Sequence, residues 1–136
     1  MDAAGVASDE VPPMGHAALT AWLADGHYLT WACEPEAHPA RPPGAHGANR
    51  ICSNTALSSS ESGTFPIGAS SVKELYSNGS LNGYAVGRKL TSGADRASWY
   101  WYEKIGTSVV ADGAGAGLCA GCHEDASRDN VFTQVR

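Results

Sequence analysis

The fold is decided by residues 69–105, which read ASSVKELYSNGSLNGYAVGRKLTSGADRASWYWYEKI. Three segments of this stretch have strand length and are rich in Val, Tyr, Trp and Ile: Ala69 to Tyr76, Gly83 to Thr91 and Ser98 to Ile105. They are separated by Ser-Asn-Gly-Ser and Thr-Ser-Gly-Ala, which are typical of turns between antiparallel neighbours. The stretch therefore predicts an antiparallel β-sheet.

The aromatic run Trp99-Tyr100-Trp101-Tyr102 indicates how one strand is oriented. Because side chains alternate along a strand, both indoles should point to one face and both phenols to the other. We expect one face to pack in the core and the other to cover a cofactor edge or a subunit interface. By the same alternation, Lys73 and Glu74 should lie on opposite faces.

The remaining segments predict a few short helices and edge strands. Hydrophobic spacing predicts a helix over Gly15 to Asp25 that ends at Gly26, and Thr55 to Glu61 reads as a second, polar helix. Further predictions are strands over Tyr28 to Ala32 and Asn49 to Ser53, a proline-rich loop over Glu34 to Ala48, a flexible approach over Asp112 to Gly117, and a C-terminal helix from near Leu118. The fold class is α+β.

Length and charge limit the possible functions. The chain has 136 residues and a net charge of −5, which fits a disordered leader over residues 1–13 and one domain over residues 14–136. Its nine Lys and Arg residues are scattered, so we expect neither a nucleic-acid nor a membrane partner. No apolar run approaches the roughly 18 residues that span a bilayer.

Near the C-terminus, Cys119-Ala120-Gly121-Cys122-His123 has the C-x-x-C-H pattern of covalent haem attachment. Two thiols on one helical turn can bond the two vinyl groups of one porphyrin, while the adjacent imidazole ligates the iron. The motif predicts one haem c per chain, with Cys119 and Cys122 as the attachment sites and His123 as the proximal iron ligand. The alternatives are half of a zinc site and a thiol-disulfide redox pair.

The other two cysteines, Cys33 and Cys52, indicate an oxidising compartment. Closing a loop of about 20 residues stabilises a fold by roughly 3 kcal/mol, so we expect a disulfide. The alternatives are free thiols and a zinc tetrad with His38 and His46.

We expect a bacterial periplasmic or extracellular location, because haem is attached covalently outside the cytoplasm. Residues 1–15 lack both a basic segment and an apolar segment. We therefore expect an export signal to have been removed ahead of Met1.

Several ordered segments resemble the cytochrome P460 family and its relatives, the β-sheet cytochromes c′. The resemblance runs from about His46 to Arg136 and includes the haem motif. It rests on His46-Gly47 with Arg50, Phe65-Pro66-Ile67-Gly68, Ser71-Val72-Lys73-Glu74-Leu75, Gly83-Tyr84-Ala85-Val86, Trp99 to Tyr102, Cys119 to His123, and Val131-Phe132-Thr133.

The resemblance implies an antiparallel sheet with a few helices, usually a homodimer, holding a pentacoordinate c-type haem. Hydroxylamine-oxidising members cross-link a lysine to the porphyrin a few residues before the aromatic that Phe65 matches. Here that stretch reads Ser58-Ser59-Ser60-Glu61-Ser62. The chain is therefore more similar to the cytochrome c′-β type, whose relatives bind NO and CO at a distal site walled by hydrophobic residues.

Candidate site residues follow from the motif and the resemblance. Phe65 is expected to cap the distal pocket, with an ordinary core position as the alternative, and Arg50 and Arg88 to pair with haem propionates. A sixth iron ligand could come from His16, His27, His38 or His46. Glu61 and Glu74 are candidates for a proton relay, although surface solvation is the favoured interpretation of both.

Three functions remain open at the level of sequence. The first is a gas-binding haem protein with an open distal site, and the second is a six-coordinate electron carrier. The third is an oxidoreductase acting on hydroxylamine or peroxide. The expected partners are a small diatomic or nitrogenous ligand, a redox protein and a second copy of the chain.

Overall fold

The structure is a computed structural model that describes residues 10–39, 47–93, 95–115, 126, 128–129, 131 and 134–135. These residues form a six-stranded antiparallel sheet whose strands follow chain order from edge to edge. The strands are β1 Ala32–Cys33, β2 Asn49–Ser53, β3 Ser70–Ser77, β4 Ser80–Lys89, β5 Trp99–Ile105 and β6 Ser108–Ala114. The helices are α1 His16–Ala24, α2 Thr55–Ser58 and two 3-10 turns, His27–Thr30 and Arg96–Ser98.

The sheet has two faces, which we name after their aromatic residues on β5. Tyr100 and Tyr102 lie on the Tyr face with the residues paired to them, such as Val86. Trp99 and Trp101 lie on the Trp face. The predicted alternation is confirmed. Both faces pack in cores of this chain, so the expectation that only one of them does is wrong.

The core on the Tyr face is closed by α1 and the 3-10 turn after it. Leu19, Trp22 and Leu23 of α1 are buried against Val72 and the tyrosines of β5. The chain then turns at Gly26, whose φ of 72° is the left-handed conformation that glycine adopts without strain. This turn places Tyr28 in the core at 3% exposure.

The core on the Trp face is smaller and is made by α2, the loop after it and β5. Its buried members are Leu57, Phe65, Ala69, Trp99 and Trp101. Asn54 caps α2, because its side-chain oxygen accepts from the backbone N–H of Leu57 at 3.2 Å. It also accepts from Ser70 N at 2.9 Å, which joins α2 to β3.

The helix expected over Gly15 to Asp25 and the strand expected over Asn49 to Ser53 are confirmed, and so are the three central strands. The strand expected over Tyr28 to Ala32 is wrong, because the chain forms a 3-10 turn up to Thr30. Residues 112–114, expected in a flexible approach, belong to β6. The expected helix from near Leu118 lies outside the described residues.

The N-terminal boundary of the packed part lies earlier than expected from composition. Pro12 is fully buried, and its carbonyl accepts from Arg88 Nη1 at 2.8 Å. Glu10 Oε2 accepts from Trp22 Nε1 at 3.0 Å. Residues 10–13 therefore pack on the body of the domain, although the composition placed them in the leader.

A disulfide joins Cys33 and Cys52, as predicted. It connects β1 to β2 at a register where the two residues are directly paired. Since both sulfurs are bonded to each other, the alternatives of free thiols and of a zinc tetrad with His38 and His46 do not apply.

Candidate functional site

The candidate site is the aromatic cluster on the Trp face. The rings of Trp99 and Trp101 stack with centroids 5.5 Å apart, and Phe65 meets Trp99 edge-on at 6.2 Å. All three side chains are at most 5% exposed. Trp101 lies over Gly87, where an added Cβ would stand 3.1 Å from the indole. The cluster is a buried aromatic core with two stacked indoles and one ring edge-on to them.

A buried ion pair lies beside this cluster. Lys89 Nζ is 2.6 Å from Asp129 Oδ2 and 2.8 Å from Oδ1, and the two side chains are 0% and 1% exposed. The ammonium also donates to the carbonyl of Gly93 and lies 5.4 Å from the Trp99 ring centroid. Because the charges are opposite and in contact, the pair leaves this part of the face neutral.

Asp129 does more than neutralise Lys89. Its Oδ2 accepts from the backbone N–H of Phe65 at 2.7 Å, and its Oδ1 accepts from Trp99 Nε1 at 3.2 Å. The residue has φ 44°, in the left-handed region that Asp visits more readily than most residues. The Asp129 carboxylate is therefore bonded to Lys89 on β4, to Trp99 on β5 and to the loop that holds Phe65. Asp129 is the sixth residue after His123 in the sequence.

Arg128 contacts the same loop from outside. Its guanidinium carbon lies 4.0 Å from the centroid of the Phe65 ring, a cation–π distance. The same group donates to Gly63 O at 2.8 Å and to Ser60 Oγ at 2.6 Å. Phe65 is thus held by Arg128 at its ring and by Asp129 at its backbone.

Residues before and after the C-x-x-C-H motif in the sequence form hydrogen bonds with Trp99. On the N-terminal side, Gly115 N donates to the carbonyl of Trp99 at 2.9 Å. On the C-terminal side, Asp129 accepts from the Trp99 indole. Cys119, Cys122 and His123 themselves lie outside the described residues.

Glu103 is a buried carboxyl on the Trp face that the sequence reasoning missed. It is 8% exposed, and burial raises its pKa while the nearby Lys73 partly opposes that effect. The signal was available, because Glu103 continues the alternation of Trp99 and Trp101. The structure therefore places a carboxyl with a raised pKa on the same face as the aromatic cluster.

Arg50, Arg88 and Glu74 lie on the Tyr face, since each pairs in register with residues of that face. The structure does not bring these candidates together with Phe65, which packs on the Trp face. Arg50 Nε donates to Glu34 O at 2.8 Å and its Nη1 to Glu74 at 3.2 Å. Arg88 is bonded to Pro12 O.

Glu74 is 5% exposed, so the favoured interpretation of surface solvation is wrong for this residue. Its carboxylate accepts from Tyr28 Oη at 2.6 Å and from Tyr76 Oη at 2.9 Å. Burial and this carboxylate raise the pKa of Tyr28 far above the usual range. Glu61, the other relay candidate, is exposed in the loop after α2.

The described histidines are engaged away from the Trp face cluster. His16 Nδ1 lies 2.9 Å from Tyr102 Oη on the Tyr face, and His27 stacks on Trp22 and pairs with Glu10 at 3.0 Å. His38 is bonded to Glu34 at 2.9 Å and to the carbonyl of Pro39. His46 lies outside the described residues.

No protein-family model, curated protein or solved structure matches this chain. In the part of the chain that the structure describes, no three His, Cys, Asp or Glu side chains converge as metal ligands. None of the helices described is both long and apolar enough to cross a membrane.

Proposed function

We propose that the protein is a mono-haem c-type cytochrome of the P460 or c′-β kind, working outside the cytoplasm with an open distal site for NO or CO. The observation that carries the proposal is the sequence Cys119-x-x-Cys122-His123. In this proposal the two thiols hold one haem c on a helix that begins near Leu118, and His123 is the proximal ligand. The iron of the bound haem would supply the affinity for diatomic ligands.

The aromatic cluster supports this proposal. Gly115 and Asp129 flank the motif in the chain, and both bond Trp99, so the described residues on either side of the motif lie beside the aromatic cluster. Phe65, Trp99 and Trp101 would exclude water from the ligand side and disfavour anions. The neutral Lys89–Asp129 pair adds no net charge to that environment.

The six-stranded antiparallel sheet supports the P460 type over an ordinary helical cytochrome c. The absence of a lysine between Ser58 and Phe65 supports the c′-β type over the cross-linked enzymes. Lys89, which does lie on the Trp face, is fully buried against Asp129 and so is not available to bond a porphyrin.

A second candidate function is oxidation of hydroxylamine or reduction of peroxide, and Glu103 favours it. A buried carboxyl whose pKa is raised by desolvation, on the same face as the aromatic cluster, is a candidate proton acceptor and donor. This candidate predicts turnover with an artificial electron acceptor or with peroxide, and loss of that turnover in Glu103→Gln.

The test is the visible spectrum of protein that is exported and produced together with haem-attachment machinery, recorded as ferric, as dithionite-reduced and as reduced with CO. We expect a high-spin ferrous form that takes up CO, and no covalent haem in a Cys119→Ala/Cys122→Ala control. A low-spin spectrum indifferent to CO would replace the proposal with an electron carrier. Absence of haem bands would contradict the proposal and favour the alternative interpretations of the motif, half of a zinc site or a thiol-disulfide redox pair.

A further inference from the structure

A cavity of about 120 Å³ lies on the Tyr face, between α1 and the strands β4 and β5. It is open to solvent on one side, and its lining is mostly apolar. The side chains that line it are Thr20, Leu23, Ala24, Tyr84, Tyr102 and Lys104. Because none of them belongs to the aromatic cluster on the Trp face, the cavity is separate from the candidate site described above.

The cavity exists because α1 presents small side chains to two large ones. Thr20 and Ala24 are four residues apart on α1 and therefore lie on the same side of the helix. The tyrosines opposite them are Tyr84 on β4 and Tyr102 on β5. Leu23 is 3% exposed and packs in the core on the Tyr face, so it holds the helix in place over the sheet. A larger residue at position 24 would fill the gap.

The hydroxyl groups of the lining already have partners. Tyr102 Oη lies 2.9 Å from His16 Nδ1 and 3.4 Å from Thr20 Oγ1. Tyr84 meets the ring of Tyr28 edge-on, with centroids 6.0 Å apart. The lining therefore offers a ligand mainly aromatic and aliphatic surface, which suits the apolar body of a small molecule.

Lys104 supplies the charge on the lining. It is half-buried, and a lysine so placed covers apolar surface with its stem while its ammonium stays in water. Among the described residues, no carboxylate lies within ion-pair distance of Lys104. Glu74, two strands away, is bonded to Arg50, and Asp112 is bonded to Tyr100. The ammonium is thus a cation beside an apolar cavity, which complements an anion with an apolar body.

We propose that this cavity binds a small aromatic carboxylate, with the ring between α1 and the two tyrosines and the carboxylate at the ammonium of Lys104. The volume sets the size of the ligand. An apolar cavity of about 150 Å³ takes up benzene, so a cavity of about 120 Å³ that is open on one side suits a single ring whose carboxylate projects from the mouth. Binding here does not require haem, so the proposal goes beyond the proposed function.

The test is a titration of the isotope-labelled protein with sodium benzoate, followed through the amide chemical shifts. We expect saturable shifts at residues 20–24, 84 and 102–104, which line the cavity or adjoin it. Benzamide has the same shape without the charge and should bind more weakly. Absence of saturable shifts at these residues, or equal affinity for the two compounds, would overturn the proposal.

Variants of Lys104 test the chemical class of the ligand. Lys104→Met should weaken benzoate binding by about two- to fivefold, the factor that a partly exposed ion pair contributes, and should leave benzamide binding unchanged. Lys104→Arg keeps the charge and should bind benzoate like wild type. Lys73→Met is the matched control, because Lys73 is a half-buried lysine on the Trp face. Equal weakening in Lys104→Met and Lys73→Met would reflect net charge alone and would overturn the proposal.

A substitution on α1 tests the location. Ala24 is exposed at the end of the helix, so Ala24→Leu should fill the cavity without displacing the core and should abolish the binding of both compounds. Ala21→Leu is the matched control, since Ala21 is exposed on the same helix and does not line the cavity. Urea denaturation confirms that both variants are folded. Benzoate binding retained in Ala24→Leu would overturn the proposal.

Discussion

At the scale of single residues, the Lys89–Asp129 pair is a fully buried ion pair, with side chains 0% and 1% exposed. A buried pair costs much to break, because the remaining charge stays desolvated. Lys89→Met should therefore lower the free energy of unfolding by roughly 3–5 kcal/mol. The measurement is urea denaturation, with Lys104→Met as a control on a partly exposed lysine.

The double variant Lys89→Met/Asp129→Asn tests the cause of that loss. The Asp129→Asn substitution would remove the charge and keep one side-chain oxygen, which can replace the acceptor of either Phe65 N or Trp99 Nε1 but not of both. We expect the double variant to be more stable than Lys89→Met alone. A double variant at least as unstable as the single one would contradict the unpaired carboxylate as the main cause of the loss and would point to packing of the lysine stem or to the acceptor lost at residue 129.

The raised pKa of Glu103 predicts how the stability of the fold depends on pH. Its pKa is raised in the folded state above the usual 4.5, chiefly by burial. In the range between the unfolded and folded values, the folded protein holds a proton that the unfolded protein releases, so rising pH favours unfolding. Glu103→Gln removes this term, and its stability relative to wild type should increase as pH rises above about 4.5.

The measurement is a series of denaturation midpoints from the usual carboxyl pKa of 4.5 upward, since the raised pKa of Glu103 acts above that value. Glu61→Gln is the control, since Glu61 is exposed. Parallel pH profiles for wild type and Glu103→Gln would contradict the prediction.

At the scale of elements, the tightest approach in the sheet is at Gly83 of β4. A Cβ added there would lie 2.0 Å from the backbone oxygen of Lys104 on β5. Gly83→Ala should therefore destabilise the fold by about 3 kcal/mol or more, because backbone must move to make room. Gly113→Ala on β6 is the matched control, with nothing within 4 Å of its new Cβ.

Thermal and urea unfolding of the two glycine variants would decide this point. We expect Gly113→Ala to be within about 1 kcal/mol of wild type. Equal stability of the two variants would mean that β4 and β5 can separate at Gly83 without cost.

The central strands could be predicted from sequence because alternation and turn residues are local signals. β6 could not, since Ser108–Ala114 is an edge strand with small residues and mostly exposed side chains. The segment around Tyr28 has strand-like residues, but the left-handed turn at Gly26 and burial of the ring impose a 3-10 turn instead. At residues 27–30, burial of Tyr28 in the core therefore outweighs the strand preference of the local sequence.

At the scale of the whole molecule, the candidate site depends on contacts between residues that are far apart in the sequence. Asp129 meets Lys89 across 40 positions and Phe65 across 64, and no periodicity in either segment signals such a partner. Lysine is also among the residues least often buried. The C-x-x-C-H pattern is visible in the sequence because its residues are contiguous, and the haem it predicts stays a prediction, whereas the contacts of Asp129 join residues that are far apart in the sequence.

The positions of the histidines relative to the two faces of the sheet give a prediction about the sixth ligand of the proposed haem iron. His16 and His27 contact the Tyr face core, while Gly115 and Asp129 flank the haem motif at Trp99. His38 is held by Glu34. If the distal site is open, His16→Ala, His27→Ala and His38→Ala should all leave the ferric and ferrous-CO spectra unchanged, and so should His46→Ala.

His123→Ala is the contrasting variant, and it should abolish the five-coordinate ferrous spectrum because it removes the proximal ligand. If one of the four other substitutions instead turns a low-spin spectrum into a high-spin one that binds CO, that histidine is a sixth ligand. That outcome would favour the electron carrier over the ligand-binding protein. Unchanged spectra in all four variants would mean that none of these histidines ligates the iron.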